Sequence, residues 1–250
     1  MREEDLLIIS QRGFKRKVER ARELIKKALK QSQKPYLSWS TGKDSTAMLV
    51  LVAEQKPDIT VMMYDSGYEL PENKSYAEYV TKLLGIKNVE IVRPPEGLDP
   101  LEEKVKAGFY DLKAIAKVNE RVMMKPIRGW AQKGGYDLAF IGLRKEESIA
   151  RRSVMKMNGE LHWCKKNKIW QCYPMADFTG EEVFALLAYF GIKPHPVYDK
   201  TKFKERKWVR VNWWIQSAGA EKGAVVWLRY YYPELYQKLA ERNPEAKNYT

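Results

Sequence analysis

The run Ser40-Thr41-Gly42-Lys43-Asp44-Ser45 joins three hydroxyl side chains, a glycine and a lysine within six residues. Placed between a strand and a helix, such a run can grip an anion. Small residues let backbone N–H groups converge, and the following helix adds its positive N-terminal end. Lys43 adds a formal charge, and Ser40 and Ser45 donate hydroxyl hydrogen bonds. Ser38 and Thr41 flank the same centre. The common P-loop requires a glycine five residues before its Gly-Lys pair and a Ser or Thr after the lysine; Leu37 and Asp44 stand there instead. Asp44 also fits the first turn of a helix, where the dipole favours an acid.

Other chemistry-bearing residues lie further on. Asp65 can help to hold Mg²⁺ or a ribose, or it can simply form a turn before Gly67. Arg144 and Arg151 can offer paired donors to phosphate or sulfate oxygens, with Glu147 orienting one of them. The same residues also read as a salt-bridged helix start, and Arg152 is a substitute for Arg151. Asp177 and Thr179 are expected to cap the helix after them, and His195, between two prolines, is expected to be structural. Cys164 and Cys172 cannot make a disulfide framework. A metal site built from them would need His162, so unpaired thiols in a reducing compartment are the simpler reading.

The elements that must position these groups follow from the pattern. Residues 5–30 form a basic amphipathic helix with Phe14, Val18, Ala21, Ile25 and Ala28 on one face. Strands are expected at 36–39, 59–64, 88–92 and 138–142, and helices at 46–54, 71–84, 120–133 and 181–190. Alternation of this kind predicts an α/β fold, a doubly wound, mostly parallel sheet with helices on both faces. The expected organisation is an N-terminal helix over 1–34, a nucleotide-binding domain over 35–200 and a basic, aromatic C-terminal subdomain over 201–250.

The net charge of +13 suits polyanionic partners, nucleic acid among them, although lysines that merely solvate a surface give the same number. Lys202, Lys204, Arg206, Lys207 and Arg210 surround Trp208, Trp213 and Trp214; such mixtures stack on bases, and a small aromatic core accounts for the same tryptophans. No window approaches a membrane span and no signal peptide opens the chain, so a cytoplasmic protein is expected, with homo-oligomerisation left open.

Together, the motifs resemble a known family. Ser40–Ser45 is similar to the PP-loop of the ATP pyrophosphatases. Asp65-Ser66-Gly67-Tyr68-Glu69-Leu70-Pro71-Glu72, the run Gly142–Arg151, the segment Tyr173–Thr179 and His195-Pro196-Val197-Tyr198-Asp199 resemble, in order, segments of the 3′-phosphoadenylylsulfate (PAPS) reductase family. The resemblance runs from about residue 35 to 200 and implies the adenine nucleotide alpha-hydrolase-like fold. It implies ATP or a related nucleotide (PAPS or adenylylsulfate) held by Ser38, Ser40, Thr41, Gly42, Lys43, Asp44, Ser45, Asp65, Gly67, Gly142 and Arg144. Lys43, Asp65, Arg144 and Arg151 would act on it, with Mg²⁺ at Asp65.

The chain departs from the reductases in its thiols. Those enzymes attack sulfur with a C-terminal cysteine, and here no cysteine follows Cys172. In the stretch Arg210–Gln216, Trp213 and Gln216 stand where many relatives carry a Cys-x-x-Cys. An iron–sulfur cluster is not expected. The chemistry that remains suits adenylyl transfer from ATP with release of pyrophosphate. The alternatives are a reductase that has moved its nucleophile to Cys164 or Cys172, and a nucleotide-binding module without catalysis.

Overall fold

β1, Pro35–Ser38, is the central strand around which the chain winds. The structure, a computed structural model, describes residues 2–108, 111–211 and 222–249. Five further strands complete the sheet: β2 Thr60–Tyr64, β3 Val89–Val92, β4 Leu138–Ile141, β5 Leu161–Cys164 and β6 Ile169–Cys172. Their spatial order is β3-β2-β1-β4-β6-β5. β1 runs parallel to β2 and to β4, with Ser38 level with Met62 on one side and Ile141 on the other. β4 is parallel to β6 and β5 pairs antiparallel to β6, so the expected α/β, mostly parallel, doubly wound sheet is what forms. The order reverses between β1 and β4, and the crevice outside their carboxyl ends is where open α/β sheets hold ligands.

Asp137 fixes β1 beside β4. Its carboxylate accepts from the Ser32 hydroxyl at 2.5 Å and from the Gln33 and Lys34 amides at 2.7 and 3.0 Å. Burial opposes its charge, yet these donors hold the carboxyl below its ordinary value.

The chain divides into two compact units, Met1–Met63 with Pro71–Ile91 and Ala131–Pro196, and Tyr64–Leu70 with Val92–Trp130 and Val197–Thr250. In the first, α2 (Arg12–Lys30) buries the five residues its spacing singled out, Phe14, Val18, Ala21, Ile25 and Ala28. The single helix expected over 5–30 is instead broken: Gln11 is extended, at φ −72° and ψ 135°, and separates α1 (Glu3–Ser10) from α2. In α1, Leu6 and Leu7 are exposed, while Ile8 and Ile9 are half-buried and pack against the core. α3 (Lys43–Ala53) is buried nearly all round, which its apolar sequence requires. α4 (Asn73–Leu84) ends on Gly85 at φ 66°, a left-handed cap that suits glycine. α8 (Ile149–Asn158) and the β5–β6 hairpin, for which the pattern gave no expectation, precede α9 (Gly180–Tyr189).

In the second unit, α5 (Pro100–Lys106) and α6 (Leu112–Asn119) also went unexpected. The helix expected over 120–133 is a π-turn, Glu120–Met124, followed by α7, Lys125–Lys133. Pro126 has no N–H for the Val122 carbonyl, and the Tyr64 hydroxyl donates to that oxygen at 2.8 Å instead. α10 (Lys222–Tyr231) and α11 (Pro233–Arg242) carry the aromatic C-terminal part, while Trp213, Trp214 and Gln216 lie outside the described residues. Among the described residues no helix is long and apolar enough to cross a membrane.

Candidate functional site

The Ser40–Ser45 turn leaves β1 at its carboxyl end and enters α3, as the phosphate-gripping reading requires. Trp39 fixes its start. The buried indole Nε1–H donates to Thr46 Oγ1 at 3.0 Å, and the Trp39 amide donates to Met62 O at 2.8 Å. Inside the turn, Ser45 Oγ receives the Ser40 amide at 3.2 Å, lies 3.1 Å from Ser40 Oγ and donates to Gly42 O at 3.1 Å.

The left-handed residue of the turn is Thr41, at φ 59°, and not Gly42, which sits at φ −70° as the helix N-cap. A buried β-branched residue in that region is strained. The Thr41 hydroxyl donates to Ser40 O at 2.6 Å.

Two cations converge on one carboxylate. Lys43 Nζ, buried, donates to Asp44 Oδ2 at 2.7 Å, and Arg144 Nε donates to Asp44 Oδ1 at 2.5 Å. Burial pulls the Lys43 ammonium below its ordinary value, an effect that Asp44 partly offsets. Burial works against the Asp44 charge as well, but Lys43 and Arg144 prevail and hold its carboxyl low. Arg144 is raised: burial opposes its charge, and Asp44, Glu146 and Glu147 outweigh that. With its side chain only 1% exposed, Arg144 also donates from Nη1 to Glu146 Oε2 at 2.5 Å and to Phe178 O at 3.3 Å.

Gly142 explains how the two motifs come so close. A Cβ there would stand 3.0 Å from both the Cα and the nitrogen of Ser45 and 3.1 Å from the Asp44 carbonyl carbon. Downstream, Glu147 accepts the Arg144 amide at 3.0 Å and pairs with Arg151, and Ser148 caps α8. Arg152 is exposed.

The first unit therefore brings together Ser40, Thr41, Gly42, Lys43, Asp44, Ser45, Gly142 and Arg144, with Ser38 at the end of β1. Asp65 and Gly67 belong to the second unit. There Asp65 Oδ1 accepts the Gly67 amide at 2.9 Å, with Gly67 at φ 81°, and Oδ2 accepts Arg93 Nε at 3.1 Å. Among the described residues no group of three His, Cys, Asp or Glu side chains could hold a metal ion. Among the described residues, protein side chains alone thus make no Mg²⁺ cage around Asp65.

Sequence reasoning missed Glu146. Its Oε2 accepts the Gly180 amide at 2.7 Å as well as Arg144, tying the start of α9 to the site. It also missed a second square of charges: Lys145 Nζ reaches Glu160 and Asp177 at 2.5 and 2.6 Å, and Arg20 reaches the same two at 2.9 and 2.5 Å. Asp177 thus bridges cations and does not cap α9. Thr179 alone does so, accepting the Glu182 amide at 3.2 Å in a capping box. No local signal marks contacts that lie 15 to 157 residues apart in sequence. His195, buried, packs edge-on against Tyr76 at 4.8 Å.

Both cysteines of the chain are described. Cys164 lies level with Ile169, at the start of β6, so it sits at the edge of the sheet opposite the carboxyl ends that carry the turn. Cys172 lies level with Phe140 but is fully buried, and burial pushes its thiol well up.

The sequence model of the phosphoadenosine phosphosulfate reductase domain matches residues 34–233. The chain belongs to this family. Among curated relatives of the PAPS reductase family, the phosphoadenosine 5′-phosphosulfate reductase of Vibrio campbellii is 26% identical over 182 residues, covering 72% of this chain and 68% of that protein. Its counterpart from Vibrio vulnificus is 27% identical over 165 residues, 66% of this chain and 61% of that protein, so the match spans less than two thirds of it. The solved PAPS reductase of Candida auris superposes with a TM-score of 0.56 at 15% identity, covering 76% of this chain and 91% of that one. The FMN adenylyltransferase of Candida glabrata, solved with ATP, gives a TM-score of 0.56 at 9% identity, covering 78% and 64%. At these identities the two structures speak for the fold, the adenine nucleotide alpha-hydrolase fold.

Proposed function

We propose that this PAPS reductase family member binds an adenine nucleotide, ATP first, with its phosphates on the Ser40–Ser45 turn, and transfers the adenylyl group to an acceptor. The observation that carries the reading is the convergence of Lys43 and Arg144 on the first turn of α3, at the carboxyl end of β1. In the reaction an acceptor oxygen attacks the α phosphorus, the bond from that phosphorus to the β-phosphate oxygen breaks, and pyrophosphate leaves. Lys43 and the helix N-terminus neutralise the leaving charge, while Arg144 steadies Asp44 and, through it, the turn.

The names of the curated relatives favour a second reading, reduction of a sulfonucleotide. That reaction needs a reactive thiolate. The buried Cys172 and the opposite-edge Cys164 count against either thiol supplying it.

Thermal shifts with ATP, AMP, adenylylsulfate and PAPS, together with assays for pyrophosphate and sulfite, separate the two readings. A nucleotide at a hundred times its Kd stabilises the fold by about 2.7 kcal/mol. ATP is expected to raise the melting temperature and to yield pyrophosphate with the right acceptor, and Lys43→Ala is expected to lose both. Sulfite formation from PAPS would favour the second reading. Unchanged nucleotide binding in both Lys43→Ala and Arg144→Ala would overturn the site assignment.

A further inference from the structure

The second unit carries an exposed patch that the nucleotide site does not use. Residues 200–211 read KTKFKERKWVRV, six cations against one acid. The start of this segment is pinned to α10: Trp227 Nε1–H donates to Lys200 O at 2.9 Å, and the Lys202 amide donates to the Tyr231 hydroxyl at 2.9 Å. Trp227 and Tyr232 are buried, with ring centroids 5.4 Å apart. Two rings are left at the surface beside it, Phe203 at 45% and Tyr230 at 54% exposure, packed edge to face with centroids 5.4 Å apart. Lys202 Nζ stands 3.9 Å from the Tyr230 centroid and 5.5 Å from that of Phe203.

Phe203 and Tyr230 pack on each other and on Tyr231 yet stay about half exposed, and although Lys207 pairs with Glu205 at 3.4 Å, the pinned segment keeps a net positive charge beside these rings. Half-exposed rings beside a segment of net positive charge match a polyanion that also presents flat π-faces. We propose that the Phe203–Tyr230 corner and its flanking cations bind single-stranded nucleic acid, with the bases stacking on the rings and the phosphates running along Lys202, Arg206 and Lys207. A folded acidic protein or an anionic membrane matches the charge but offers no bases to stack. A duplex keeps its bases stacked on one another.

The test is fluorescence anisotropy of the full chain with labelled oligo-dT and oligo-U, with a duplex, poly-glutamate and phosphatidylserine vesicles as comparisons. Both single strands are expected to bind, more weakly as salt rises from about 50 to 200 mM. Phe203→Ala with Tyr230→Ala should weaken binding about tenfold or more without changing the salt slope, while Phe203→Tyr and Tyr230→Phe should keep it. Removing Lys202, Arg206 and Lys207 together should lower the slope by about 2. A preference for oligo-U would assign RNA, and one for oligo-dT would assign DNA. No single-strand binding, duplex or poly-glutamate binding as tight, vesicle binding alone, or a paired alanine variant that binds like the parent would overturn the proposal. Unchanged circular dichroism and melting of the conservative variants guard against misfolding.

Discussion

Gly142 packs against Ser45 so closely that a methyl group on it would stand 3.0 Å from the Ser45 nitrogen and Cα. The contact is backbone on backbone. No rotamer change can relieve it, so any side chain at 142 must displace the first turn of α3 or the end of β4.

Gly142→Ala is therefore expected to cost about 1–3 kcal/mol of stability. It should also weaken nucleotide binding about tenfold, because the displaced turn is the one proposed to hold the phosphates. Calorimetric titration of parent and variant with ATP and PAPS checks this; equal affinities would separate Gly142 from the site.

The strain at Thr41 predicts an unusual ranking. A β-branched residue at φ 59° costs on the order of 1–3 kcal/mol, and glycine relieves it. Thr41→Gly should be more stable than Thr41→Val in urea unfolding by about 2 kcal/mol. If the valine variant is the more stable of the two, Thr41 does not hold this conformation in solution.

Asp44 gives a pH signature. Its carboxyl lies below 3.8, the ordinary value, because Lys43 and Arg144 outweigh the burial that opposes its charge. The depressed folded value means the stabilisation is present above 3.8 and is lost as pH falls through that lower folded value. Asp44→Asn leaves the buried Arg144 without this partner and should cost about 3 kcal/mol or more near neutral pH. Melting curves should show the gap between parent and variant narrowing as pH drops below about 4. A gap that stays constant would mean Asp44 does not bear the charge.

The thiols make the two functional readings separable. Cys164→Ser is expected to leave nucleotide-dependent turnover unchanged, since the residue lies at the far edge of the sheet. Cys172→Ser buries a hydroxyl and should cost about 1–3 kcal/mol while sparing turnover per folded molecule. Loss of sulfite production in either variant would instead identify the nucleophile of a reductase.

Much of this was legible in the sequence because it is local. The spacing of Phe14, Val18, Ala21, Ile25 and Ala28 named the buried face of α2, and an apolar run followed by Ser40–Ser45 marked a strand, a turn and a helix. Gly85 and Thr179 announced helix ends through their own backbone and side-chain chemistry. Periodicity is silent where helices are short or interrupted, so α5, α6 and the Pro126-induced π-turn went unread. The partners of the site residues were equally out of reach. That Arg144 spends its donors on Asp44, Glu146 and the Phe178 carbonyl depends on distances across as many as a hundred residues of chain. So does the edge of the sheet on which Cys164 falls, which the antiparallel return of β5 decided. The sequence determined which groups this protein owns. The tertiary structure decided which of them meet, because only packing sets the burial and proximity that turn a lysine, an arginine and an aspartate into one coupled centre.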